Sequence, residues 1–170
     1  MRRLLTLLCF FIIISAIAQP RLELTPQGFE PVQADIPATS NEKLLEISKA
    51  WAASYNRTNK KGYDVYDVQQ NAMSISALKK NAFFIRNKGE TFSYTIRYDI
   101  KLTFYGDYYT LKFTVSDIYT DYDNLVEYKL PDYFTSEGEL KDGYENLKPS
   151  LEKTVNEMVT SYHNYIINFR

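Results

Sequence analysis

From Thr91 to Tyr105 the chain alternates without a miss. Phe92, Tyr94, Ile96, Tyr98, Ile100, Leu102 and Phe104 hold one parity; Ser93, Thr95, Arg97, Asp99, Lys101, Thr103 and Tyr105 hold the other. A helix would spread the apolar set around its circumference, whereas a strand gathers it on one side. The segment therefore demands an antiparallel sheet with one buried face and one wet face. Gly106-Asp107 follows as a two-residue hairpin loop, with glycine free to take a positive φ. Pairing Tyr105 with Tyr108 then sets Phe104 opposite Tyr109, Leu102 opposite Leu111, Ile100 opposite Phe113 and Tyr98 opposite Val115, all on one face. The other face pairs Thr103 with Thr110, Asp99 with Thr114 and, at the penalty of a like-charge contact, Lys101 with Lys112. A slip of one residue would set every apolar side chain against a polar one, so the register is strongly specified.

The flanking segments supply partners for this ribbon. Phe29 to Ile36 has a strand-like composition interrupted by Pro31, which confines it to a sheet edge or a strand start. Thr39 to Glu42 has capping-box spacing, and Leu44, Ile47, Trp51 and Tyr55 recur at helical intervals, predicting a helix that ends near Asn56. Tyr63 to Val68 reads as a strand and Gln69 to Ala72 as a turn. Met73, Ile75 and Ala77 are then inward positions of a further strand that resumes through Phe83 and Ile85. Beyond Thr120 the periodicity dissolves, and Asp121 to Glu145, with Pro131, Gly138 and Gly143, reads as a packed crossover loop, with a functional lid as the alternative. A last helix begins near Pro149, with Leu151, Val155, Met158, Tyr162, Ile166 and Phe169 on one stripe. The order predicts an α+β domain over residues 28–170: a single antiparallel sheet of about five strands with two helices packed on one face, β-α-β-β-β-β-α.

The N-terminus carries a separate signal. Arg2 and Arg3 precede an apolar run from Leu4 to Ile14, and Ala16-Ile17-Ala18 offers the small residues of a signal-peptidase site, so residues 1–18 read as a signal peptide. The run is shorter than the roughly 20 residues of a spanning helix, and no membrane span is expected after cleavage. Cleavage removes Arg2, Arg3 and Cys9, the only cysteine, from a chain of Lys+Arg 20 and Asp+Glu 21. The product is an acidic, cysteine-free exported domain, periplasmic or extracellular, that has to hold itself together by core burial. Its 15 tyrosines, 10 phenylalanines and one tryptophan can supply that burial. Gln19 to Gln27, with Pro20 and Pro26 and no sustained period, reads as a flexible arm.

Three features together carry a family resemblance: the signal peptide, the Phe29-Glu30-Pro31-Val32 entry before the Trp51 helix, and the Phe104 to Thr114 hairpin with its glycine turn, tyrosine and Phe-Thr pair. In these the chain resembles an exported bacterial family of unknown function described as having a TBP-like fold. The resemblance covers roughly Gly28 to Thr120 and implies that fold; it brings no activity with it. The tyrosine-rich stretch from Asp117 to Tyr133 departs from the family's pattern.

Catalytic constellations are missing from the sequence. His163 is the only histidine, lies beside the apolar stripe of the last helix, and reads as a surface or boundary residue. No Ser, Cys and His arrangement of the nucleophilic kind can be assembled around it, and the dispersed glycines make no phosphate loop. Asp117, Asp121, Asp123 and Glu127 form an acidic cluster, but Asp121-x-Asp123 departs from a calcium loop at Leu125 and Val126, so no metal and no cofactor is expected. An acidic, exported domain also lacks the basic concave sheet that nucleic acid requires. The expectation is a noncatalytic binding or assembly module that meets a cell-envelope protein through its open sheet face. Phe84, Arg97, Tyr105 and Tyr108 are the candidate contact residues, since tyrosine and arginine suit contact surfaces. The alternative is a carrier or sensor of a small apolar or sugar ligand held between sheet and helices or beneath the 121–145 loop.

Overall fold

The computed structural model describes residues 19–169, so the signal-peptide expectation for residues 1–18 lies outside the described residues. In chain order the elements are β1 (Leu24–Thr25), β2 (Gly28–Phe29), β3 (Val32–Asp35), α1 (Asn41–Tyr55), β4 (Tyr63–Tyr66), β5 (Ala72–Asn87), β6 (Glu90–Phe104), β7 (Tyr108–Thr120) and α2 (Leu147–Ile167). Five strands form one antiparallel sheet in the order β3-β7-β6-β5-β4, and β1 pairs with β2 as a small separate ribbon. The expected edge strand is indeed at an edge, though Pro31 splits it: Phe29 belongs to the small ribbon and Val32 onward to the main sheet.

The β6–β7 register is the one the alternation predicts, from Phe104 opposite Tyr109 to Tyr98 opposite Val115. Gly106 takes φ +90° in the turn, a region an L side chain enters only with strain. Two bulges shape the rest of the sheet. One extra residue of β7, Ser116, falls between the pairs Tyr98–Val115 and Arg97–Asp117, and its hydroxyl donates to the Arg97 carbonyl at 3.3 Å. This changes the parity of β7, so that Ile118 comes inside opposite Ile96. On β5 the pairing jumps from Lys79–Ile96 to Phe83–Tyr94, with Asn81 at φ +51°. Three residues there oppose one, the parity survives, and Phe83 and Ile85 stay buried. Phe92 differs from expectation: three residues past Gly89 of the Lys88-Gly89 turn, at the end of the ribbon, it remains 43% exposed.

Both helices cover the inward face. The α1 cap is Ser40, one residue later than the capping-box spacing suggested. Its Oγ accepts the Lys43 N–H at 3.3 Å, while the Thr39 hydroxyl turns back to the Pro37 carbonyl at 2.8 Å. The α2 helix starts at Leu147, placing Pro149 inside the first turn, where its missing N–H leaves no intrahelical bond unmade. Trp51 meets Tyr162 edge-on at 5.1 Å and donates from Nε1 to Ser161 Oγ at 3.3 Å. Tyr162 in turn meets inward-facing Tyr109 at 5.2 Å and shares a 2.9 Å hydrogen bond with Ser48. These contacts bind α1, α2 and the sheet into one core with the aromatic hydroxyls satisfied inside it.

Two expectations are corrected by this core. His163 is neither surface nor boundary: it is buried, and its Nδ1 lies 3.1 Å from the Tyr109 hydroxyl. The α2 stripe is wider than the hydrophobic residues alone indicate, because a histidine paired with a buried tyrosine can join it. Gln19 to Gln27 is also not a free arm. Leu22 and Leu24 are fully buried, Leu22 exchanges two backbone hydrogen bonds with the Asn156 side chain at 2.7 and 2.9 Å, and the Leu24 N–H donates to Glu152 Oε1 at 2.8 Å. The arm is a clasp along α2. The 121–145 crossover is packed, with Leu130, Tyr133 and Phe134 buried and Tyr133 set edge-on against Phe83 and Tyr144.

Candidate functional site

With both helices on one face, the register determines what the other face displays. Arg97, Asp99, Lys101 and Thr103 of β6 stand beside Thr110, Lys112 and Thr114 of β7, all on the outward parity. At the hairpin tip Tyr105 and Tyr108 stack on each other, centroids 4.5 Å apart and planes within 10°, with Tyr105 50% exposed. The pairing that closes the turn, Tyr105 N–H to the Tyr108 carbonyl at 2.9 Å, puts both rings on the same side.

The four candidate residues are not one patch. Phe84 lies opposite Ser93 and is half-buried, and the Arg86 guanidinium sits 5.5 Å over its ring. From Ser93 to Phe104 the strand spans roughly 35 Å at about 3.3 Å per residue, so Phe84 stands at the opposite end of the sheet from the tyrosine pair. Arg97 lies between them, 3.7 Å from Asp117, which also accepts Lys129 Nζ at 2.9 Å. Only Tyr105 and Tyr108 touch. Tyr66 is a residue the sequence analysis passed over: it is 40% exposed on the outward parity of β4, and its hydroxyl donates to Asp99 Oδ1 at 2.8 Å. Partial burial, with the Asp99 carboxylate as acceptor, pushes the Tyr66 hydroxyl pKa up. Its strand was legible, but its place beside Asp99 depends on β4 pairing with Ser74 to Ala77, which no local pattern announces.

The charges of this face divide into two kinds. Asp117 is held by Arg97 and Lys129, and Asp123, from the same acidic cluster, is held by Lys61 at 2.9 Å. Two of the four carboxylates of that cluster are thus held by cations, and among the described residues no group of three His, Cys, Asp or Glu side chains is placed to hold a metal. Lys101 and Lys112 face each other across β6 and β7, are exposed, and enter no ion pair among the described residues. Buried His163 has its pKa pushed down by desolvation, and its Nε2 has no hydrogen-bond partner among the described residues. It contacts the core and not the open face. No helix among the described residues is long and apolar enough to cross a membrane.

No family model matches this sequence, and no curated protein does. Two solved structures share its architecture. A TBP-like protein from Parabacteroides distasonis ATCC 8503 superposes with a TM-score of 0.55 at 16% identity, covering 82% of this chain and 92% of that one. The fold is TBP-like. A DUF4468 family protein from Bacteroides ovatus ATCC 8483 superposes with a TM-score of 0.57 at 10% identity, over 81% of this chain and 82% of the other. At such identities the likeness speaks for the fold alone, and the function of the TBP-like domain has to be argued from its own surface.

Proposed function

We propose that this TBP-like domain is an exported, noncatalytic binding or assembly module of the cell envelope, and that the open sheet face is its working surface. The supporting observation is the one-sided packing: helices and clasp claim the apolar face, and the other presents the stacked Tyr105–Tyr108 pair and, past the Thr103–Thr110 pair, Lys101 and Lys112, which enter no ion pair among the described residues. Stacked tyrosines offer a large rigid area with hydrogen-bonding tips and lose little side-chain entropy on binding. Two lysines further along the same face suit a partner that brings carboxylates. Like charges opposed across a ladder are mildly destabilising, which a partner's acid would relieve. The carrier alternative with an apolar ligand between sheet and helices is disfavoured, because Trp51, Tyr98, Tyr109 and Tyr162 fill that layer.

The test compares the protein with its Tyr105→Ser/Tyr108→Ser variant as baits for cell-envelope extract. Both side chains point away from the core, so melting is expected to be unchanged. The reading requires that proteins retained by the parent be lost from the variant. Equal retention by the two baits would remove the open face as the working surface.

A further inference from the structure

A second feature lies at the free edge of β5, away from the open-face tyrosines. β4 pairs only with Ser74 to Ala77, so the next stretch of β5 has no strand neighbour on that side. The loop between α1 and β4 crosses this edge instead, held by Asn59 Nδ2 donating to the Leu78 carbonyl at 3.1 Å. Between that loop and the bulge at Lys79 to Phe83 lies a cleft of about 550 Å³, within the range of small-molecule sites. Tyr55 and Leu78 give it apolar wall.

Its charge is lopsided. Lys60, Lys61, Lys79 and Lys80 line the cleft against one carboxylate, Asp123, in a chain where acids slightly outnumber bases. Lys79 is already oriented, its Nζ donating to the Tyr55 hydroxyl at 3.3 Å and lying 5.5 Å from the centre of that ring. Asp123 reaches Lys61 from a turn in which its own backbone sits at φ +61°, a conformation that is disfavoured for a residue other than glycine. Lys61, with a smaller contribution from Lys80, holds its carboxyl below the usual carboxylate range. One carboxylate among four ammonium groups leaves a surplus of positive charge converging on a concave, partly apolar space.

We infer that this cleft binds a small sugar-sized molecule carrying an oxyanion, carboxylate or phosphate, with its body against Tyr55 and Leu78 and its charge among Lys60, Lys79 and Lys80. Asp123 then acts as an internal competitor: it occupies part of the positive field and weakens an incoming anion. The inference stands apart from the open-face reading, since none of the cleft residues named here belongs to the Tyr105–Tyr108 patch.

Calorimetric titration of the purified protein at low ionic strength tests it, with glucuronate and glucose 6-phosphate as probes and glucose and inorganic phosphate as controls. At least one charged sugar should bind with a Kd of about 1 mM or tighter, and which one binds identifies the oxyanion. Lys79→Met/Lys80→Met should weaken binding by about tenfold or more, Asp123→Asn should strengthen it severalfold, and Lys49→Met/Lys153→Met, on the exposed sides of the two helices, should leave it unchanged. If the first variant fails to fold, Lys60→Met/Lys80→Met replaces it, since both of those side chains are exposed and enter no ion pair among the described residues. The inference is overturned if neither charged sugar binds, if glucose or free phosphate binds as tightly, if the lysine variants bind as the parent does, or if Asp123→Asn weakens binding.

Discussion

Replacing Leu24 by alanine tests whether the N-terminal clasp is part of the fold. Leu24 is fully buried, and its N–H is bonded to Glu152 on α2. The change removes three carbons, worth about 0.8 kcal/mol each in transfer, and leaves a cavity that the fixed Asn156 and Glu152 contacts keep from collapsing; together this amounts to about 2–4 kcal/mol. The upper end is limited by the clasp itself, because an arm that can undock will do so once the remaining contacts are weaker than the cavity. For a chain of this length the melting midpoint should fall by roughly 5–15 °C. Thermal and urea unfolding followed by circular dichroism measure it, and an unchanged m-value would assign the loss to stability. Asn156→Ala, which removes both bonds to Leu22, should also destabilise, and the double variant should lose less than the sum of the single losses, because either change alone releases the same segment. A shift under about 2 °C for Leu24→Ala would refute the argument and return residues 19–27 to the status of a free tail.

Leu102, fully buried in the middle of β6 opposite Leu111, has no such escape, so Leu102→Ala should lower the unfolding free energy by about 3–5 kcal/mol, and a loss under about 1 kcal/mol would contradict its place in the core. Because burial depresses the His163 pKa below its ordinary 6.5, the unfolded chain takes up a proton that the folded chain refuses as the pH falls below that value. The His163 contribution is therefore whole above pH 6.5 and lost progressively below it, down to the depressed folded pKa. Urea unfolding at pH 7 and pH 5.5 should show the decline in the parent and a shallower one in His163→Gln; parallel slopes would place the titration elsewhere.

How much of this was legible in the chain follows from where the information sits. From Phe104–Tyr109 to Tyr98–Val115 the β6–β7 register was readable to the residue, because alternating side chains admit one burial phase and a two-residue glycine loop admits one register. The helices were readable to within a residue or two for the same reason: their stripes repeat locally. The outward parity of Arg97, Tyr105 and Tyr108 came with the ribbon.

What the tertiary structure decided involves partners far apart in the chain or an interruption of the period. Leu22 and Leu24 are held in the core by groups more than a hundred residues later: Asn156 accepts from and donates to the Leu22 backbone, and Glu152 accepts the Leu24 N–H. His163 is inside because Tyr109, on a different element, meets its ring nitrogen; a lone histidine beside an apolar stripe carries no mark of that partner. Ile118 changed faces at a one-residue bulge, and Phe84 was half-covered at the ribbon's far end, both beyond the reach of a period-two rule. The lysine-lined cleft joins a loop after α1, the bulge of β5 and a turn after β7, so its residues are neighbours only once the sheet is curved and the helix is docked. Periodicity sets which side of an element is buried, because that follows from backbone geometry alone. Which distant groups then meet is set by docking free energies spread over the whole core, and the sequence carries those only in sum.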